Sequence, residues 1–275
     1  MLPQRYKVKG LFVEEAPAQQ LTQNTGTLQG RPPVLLLHGA CHGAWCWENW
    51  LTALPKKGWH TYTMALRNHP GSWVSDREAY CQRTFIADYI EDLAIVTAHI
   101  GRTCVIVGHS MGGLIAQKYM EILPNGNKAE SGMVLVASGA PGFFGTGNRA
   151  PLPEDKPVLF DKEVAANYFY SKAPPEVLDR AIQRLVGESP SVMNEYSQPP
   201  GIEIDPARIT CPSLVISAAL DRTIVPHDNR LAEFFKADYH LAKDIGHGLM
   251  LETGWEKVLD VVVAWLEQHF PGSHA

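Results

Sequence analysis

Five short apolar runs constrain this chain more than any other feature: VLLL at 34–37, TYTM at 61–64, CVIV at 104–107, MVLVA at 133–137 and LVIS at 214–217. They are nearly continuous rather than alternating. Strands buried on both faces read this way, as in a parallel sheet covered by helices. Helical spacing fills the gaps at 44–54, 84–100, 113–123 and 227–235. A last helix is predicted over 255–270, where Val258, Val262, Trp265 and Leu266 share one stripe. Strand alternating with helix predicts an α/β fold, a mostly parallel central sheet flanked by helices. Residues 6–13 predict an antiparallel edge strand, and 239–241 a short strand near the end of the chain.

The alternation fails between Pro141 and Pro206, a stretch with ten of the 20 prolines and no strand-like run. Helical pieces are predicted there at 162–170, 176–186 and 191–196. The expected organisation is therefore an α/β core from 1–142 and 205–275, with a small helical lid inserted over 143–204. At 275 residues the chain is long enough to bury one large core and carry such an insertion.

Composition narrows the function classes. Hydrophobic residues make up 45%, charged residues 19%, and the net charge is −5. No block of Lys and Arg marks a nucleic-acid surface. No apolar stretch approaches the 18 residues of a membrane span, and the first residues lack the apolar core of a signal peptide. The five cysteines are odd in number and scattered, which points to free thiols and a cytoplasmic setting. Monomer and dimer both remain open.

GHSMGG, at 108–113, sits where the CVIV run hands over to a helical stretch. The pattern Gly-x-Ser-x-Gly at such a junction makes a sharp turn that strains its central residue and lifts the Ser110 hydroxyl above the sheet. A helix N-terminus there favours developing negative charge. Serine attacks only when a base takes its proton. His247 lies late in the chain, in DIGHGLMLE, between two glycines; Asp221 lies in ALDRTIVP, just after the fifth run. The order Ser110, Asp221, His247 predicts nucleophile, orienting acid and base. The backbone N–H groups of Met111 and Ala40 are the expected oxyanion donors, the latter in LLLHGACHGAWCW after the first run. His38, Cys41, His42 and Cys46 in that stretch do not read as a zinc site, which favours ligand pairs from separate segments. GTGNRA at 145–150 follows no strand run and is stopped by Pro151, so no dinucleotide site is expected. No metal or other cofactor is expected.

LLLHG, VIVGHSMGG, VISAALDRTIVP and IGHGLMLE occur here in the order found in the α/β-hydrolase family, which the chain resembles over nearly its whole length. HGACHGAWCW is similar to the plant methyl-esterase and hydroxynitrile-lyase group. That resemblance implies the same five roles, for Ser110, His247, Asp221, Ala40 and Met111. Two departures from the lyases, Gly39 in place of a hydroxyl residue and Gly248 in place of a lysine, favour ester hydrolysis. LRNHPGS departs from the family's usual Arg-Gly-His-Gly-x-Ser at Asn68 and Pro70; that loop's usual role is structural support beside the nucleophile, and the departure implies no change of function.

His38, Cys41, His42, Trp45, Phe143, Phe144 and Tyr168 are candidates to line an aromatic-rich pocket. No Arg or Lys cluster marks a strongly anionic substrate. The expected activity is hydrolysis of a small to medium, largely apolar carboxylic ester through an acyl-enzyme. The alternatives on the same triad are a lyase, a C–C bond hydrolase and a thioesterase. A hydrolase-fold protein that only binds its ligand is a further alternative.

Overall fold

The structure, a computed structural model, describes residues 2–19, 30–123, 131–144, 150–224 and 229–272. Five strands carry the apolar runs: β3 (Val34–Leu37), β4 (Thr61–Met64), β5 (Val105–His109), β6 (Gly132–Val136) and β7 (Ser213–Ala218). With β1 (Gln4–Val8), β2 (Leu11–Ala16) and β8 (Asp238–Ala242) they form one sheet, ordered β1-β2-β4-β3-β5-β6-β7-β8. From β4 to β8 all neighbours are parallel, while β1 with β2 and β2 with β4 are antiparallel. The first hairpin corrects the single strand expected over 6–13. Lys9 and Gly10, both at positive φ (48° and 88°), turn the chain within it. Two central positive φ values match the right-handed twist of paired strands.

Side-chain alternation assigns the continuous runs to two faces. Val34, Leu36, Val105, Val107, Val134 and Val136 join one cluster with Trp47, Trp50 and the stripe of α9 (Trp255–His269). Leu35, Leu37, Ile106, Met133 and Leu135 face the other, packed by α3 (Ile86–Ile100) and α4 (Met111–Ile122). Leu36 is fully buried, and truncating it to alanine would cost about 2–5 kcal/mol.

Helix boundaries differ from expectation where backbone chemistry intervenes. Residues 44–54 split into a 3-10 turn, Ala44–Trp47, and α1 (Glu48–Ala53), after which Leu54 opens a second 3-10 turn with Pro55 in its first turn. α2 (Arg77–Arg83) was not anticipated; Asp76 caps it by accepting from the Ala79 N–H at 2.8 Å. The helix expected over 227–235 is α8 (Arg230–Phe235), with 225–228 outside the described residues. Between β6 and β7 the chain forms α5 (Lys162–Tyr168), α6 (Pro175–Ile182) and α7 (Pro190–Ser197). This insertion shares the core: Ala165, Phe169, Tyr170 and Ala181 join the cluster of Trp47, and Val192 joins the other.

Parallel register places the site. Leu37 pairs with Gly108, and Gly108 with Leu135, so the carboxyl ends of β3, β5 and β6 lie side by side. Ligand sites of open parallel sheets form beyond such ends.

Candidate active site

Ser110 occupies the turn between β5 and α4 with φ 53° and ψ −123°. A non-glycine residue at positive φ is strained, and surrounding structure has to hold it there. Here the Ser110 N–H donates to the Val136 carbonyl at 3.1 Å, and the Ser110 carbonyl accepts from the N–H of Gly113 and of Gly139, each at 2.9 Å. The side chain is half-buried. Met111 opens α4, so its N–H precedes the first intrahelical bond.

His247 and Asp221 meet directly. The imidazole Nδ1–H donates to Asp221 Oδ2 at 2.8 Å, and both side chains are buried. Asp221 Oδ1 accepts from the N–H groups of Thr223 and Ile224, at 2.6 and 3.1 Å. With Nδ1 protonated, the lone pair lies on Nε2. No hydrogen bond joins Nε2 to Ser110 Oγ among the described residues; such bonds often form only once substrate is bound. The adjacent His109 ring lies 4.6 Å from that of His247, and its Nε2–H donates to the His247 carbonyl at 2.9 Å. Glu252 accepts from the Gly246 N–H at 2.6 Å and so fixes the other side of the histidine loop.

The loop after β3 is equally determined. His38 is fully buried: Nε2 accepts from the Leu66 N–H at 3.1 Å, and Nδ1–H donates to the Gly39 carbonyl at 2.8 Å. Burial holds its pKa well below the usual value. His38 was a pocket candidate, but both of its nitrogens serve backbone, which makes it scaffold. His42 Nδ1–H donates to the Ala40 carbonyl and its Nε2 accepts from the Tyr170 hydroxyl, both at 2.6 Å. Burial pushes this imidazole down to about 4, so it is neutral. Cys41 is buried at φ 66°, and burial pushes its thiol pKa up, as it does for Cys46. All five cysteines are free and buried. No group of His, Cys, Asp and Glu side chains is arranged to hold a metal ion among the described residues.

The remaining pocket candidates are dispersed. Trp45 stacks on His42 at 5.4 Å, with the Arg184 guanidinium 4.8 Å from its ring centroid. Phe144 packs edge-on against Phe234 of α8. The Tyr168 side chain is 46% exposed; its carbonyl accepts from Thr223 Oγ1 at 2.9 Å, beside Asp221. The Phe143 side chain and residues 145–149 lie outside what is described. The rings that reach the histidine loop were not singled out: Phe169 lies 5.8 Å from His247, and Tyr170 bonds His42. Their signal was only membership of an aromatic-rich insertion.

Another cluster was missed entirely. Glu188, fully buried, accepts from the Tyr89 hydroxyl (2.6 Å), the Ser189 N–H (2.9 Å), His69 Nε2–H (3.1 Å) and the Cys41 N–H (3.2 Å). His69 Nδ1–H donates to the Arg67 carbonyl at 2.9 Å. Both imidazole nitrogens thus face acceptors, and despite burial the Glu188 charge raises the His69 pKa above its ordinary value. That imidazolium, with the hydroxyl and backbone donors, holds Glu188 down at about 2 against its own desolvation.

Methyl jasmonate esterase 1 from Vitis vinifera is 34% identical over 95 residues, a stretch that is 33% of this chain and 34% of that protein. Esterase PIR7B from Oryza sativa subsp. japonica is 34% identical over 96 residues, with the same shares of the two chains. The chain therefore matches about a third of the length of these relatives. Among solved structures, Arabidopsis methylesterase MES16 superposes with a TM-score of 0.67 at 19% identity, over 85% of this chain and 98% of that one. A bromoperoxidase from Bacillus anthracis superposes with 0.71 at 17% identity, over 97% and 100%. Likeness at this level shows the shared fold alone. The sequence model of the alpha/beta hydrolase family matches residues 34–261, and the chain belongs to that family.

Proposed function

We propose that the protein is a serine esterase that hydrolyses a small to medium, largely apolar carboxylic ester. The observation that carries this reading is the buried His247–Asp221 pair at 2.8 Å, its imidazole 4.6 Å from the ring of His109, which immediately precedes a serine held at φ 53° on a helix N-terminus. In the proposed reaction Ser110 Oγ attacks the ester carbonyl and its proton passes to His247 Nε2. Asp221 offsets the imidazolium charge. The tetrahedral oxyanion takes the N–H groups of Ala40 and Met111, donors worth on the order of 10²–10³ in rate each. Collapse expels the alkoxide, which leaves with the proton from His247. Water then attacks the acyl-enzyme by the same route and releases the acid.

Several relatives are named methylesterases, which supports a small leaving alcohol. Space at two glycines argues against the lyase alternative. A Cβ on Gly39 would come within 2.8 Å of Ser110 Cβ. A Cβ on Gly248 would meet the Phe169 carbonyl oxygen at 2.7 Å and the Tyr170 ring at 2.9 Å. Neither the hydroxyl residue nor the lysine of the lyases has room here. The insertion between β6 and β7, which brings Phe169 and Tyr170 to the site, acts in this reading as its cap.

The test pairs two measurements. Ser110→Ala is expected to lower turnover of a p-nitrophenyl ester by on the order of 10⁶. A fluorophosphonate probe should label the intact protein at Ser110 alone. An unlabelled, inactive wild-type protein would favour a binding protein. Turnover of cyanohydrin, β-diketone or thioester in preference to ester would move the activity to the corresponding alternative.

A further inference from the structure

The turn from Gly39 to His42 is bonded at nearly every polar group. The Gly39 carbonyl accepts from His38 Nδ1–H at 2.8 Å and from the His42 N–H at 3.3 Å. The Ala40 carbonyl accepts from His42 Nδ1–H at 2.6 Å. The Cys41 N–H donates to Glu188 Oε2 at 3.2 Å, and the Cys41 carbonyl accepts from the Val186 N–H at 3.0 Å. Between the Gly39 carbonyl and the Cys41 carbonyl, the Ala40 N–H is the one polar group without a partner among the described residues. The turn thus presents one free donor, beside Ser110.

Two of these bonds come from the insertion, more than 140 residues away in sequence. Segment 186–188 grips Cys41 from both sides, and Val158 strengthens the grip. It pairs with Glu188 through two backbone bonds of 2.8 Å, and its carbonyl accepts a weak 3.6 Å bond from Cys41 Sγ. The Cys41 N–H and the Ala40 carbonyl belong to one peptide unit. Glu188 and His42 therefore hold that unit at both ends. The Ala40 N–H belongs to the preceding peptide, whose Gly39 carbonyl His38 and His42 hold; the two peptides share the Ala40 Cα, so slack at Cys41 would free that common atom.

We propose that Glu188 is a positioning residue: through the Cys41 N–H it fixes the Ala40–Cys41 peptide, and with it the Ala40 Cα from which the Ala40 N–H is aimed at the carbonyl oxygen of a bound ester. This rests on the esterase reading above. The insertion is on this account a structural part of the oxyanion hole as well as a cover. His69 supplies the counter-charge that lets a carboxylate sit in a fully buried place.

The test compares Glu188→Gln with Glu188→Asp. Glutamine keeps the length and an oxygen that can accept from the Cys41 N–H, but loses the charge. Aspartate keeps the charge but is one methylene short of Cys41. Positioning predicts Glu188→Gln within about threefold of wild-type kcat, and Glu188→Asp lower by roughly tenfold or more with KM within twofold; complete loss of one oxyanion donor sets a limit on the order of 10²–10³. A trifluoromethyl ketone, which adds to the serine and presents the same oxyanion, should lose affinity in Glu188→Asp by the factor lost in kcat/KM. The reverse order, or two folded variants at wild-type kcat, would overturn the proposal. So would equal losses in both variants that follow their melting temperatures. Should the wild type neither label nor hydrolyse esters, the esterase reading fails by itself. Amide exchange over 39–42 then decides: faster exchange in Glu188→Asp than in Glu188→Gln retains the positioning role, and equal exchange rejects it.

Discussion

Tyr170 gives its hydroxyl proton to His42 Nε2 in a fully buried place, so Tyr170→Phe leaves that nitrogen without a donor. An unsatisfied buried acceptor costs about 1–3 kcal/mol. Urea unfolding at pH 7 should show that loss, with the two-state slope unchanged. Candidate residues could be picked out in the sequence where a local pattern marked them: Ser110 by its glycines, His247 and Asp221 by their place after strands, and the last two are bonded to one another. Glu188 was not, because its value lies in partners from Cys41, His69 and Tyr89, 147, 119 and 99 residues away. His69 stood in a motif whose departures were visible, yet nothing local shows that its neighbour is a buried carboxylate. His42 was picked out as a pocket residue, while its work in holding the Ala40 carbonyl depends on a turn that the local sequence does not specify.

Among the elements, the strands of the parallel sheet were readable because burial on both faces leaves no room for polar alternation. The first hairpin was not. Its turn uses Lys9 at φ 48° before Gly10, a weaker signal than the Asn-Gly or Asp-Gly that usually marks such turns. α2 was missed because REAYCQR is polar on most sides and buries only Tyr80 and Cys81. Its stability therefore leans on its cap. Asp76→Ala, which removes the acceptor for the Ala79 N–H, should cost about 1 kcal/mol, read as a lower urea midpoint. Thr84, extended at φ −103° and ψ 124°, separates α2 from α3 and explains why the helix expected from residue 84 starts at Ile86.

Across the whole molecule, buried histidines tie stability to pH. His42 is held neutral by burial, down at about 4, while an unfolded histidine titrates near 6.5. Between those values the unfolded chain binds more protons than the fold. This ring's contribution is therefore full above about pH 6.5 and lost as pH falls toward 4, about 3 kcal/mol in all. His38 and His109, also depressed by burial, act in the same direction. His69, raised by Glu188, acts oppositely: its contribution is full below about 6.5 and is lost as pH climbs through its raised value. Urea midpoints at pH 7.0, 5.5 and 4.5 should fall steadily. A midpoint unchanged at pH 4.5 would contradict the neutral assignment of these rings.

The grip of residues 186–188 on Cys41 has a consequence for traffic through the site. A roof that swung away at this end would take with it the Val186 N–H and the Glu188 carboxylate, and the turn below would lose two of its bonds. Under the proposed positioning role, opening and reactivity exclude each other at that edge: a protein caught with this side lifted would admit a molecule without acting on it.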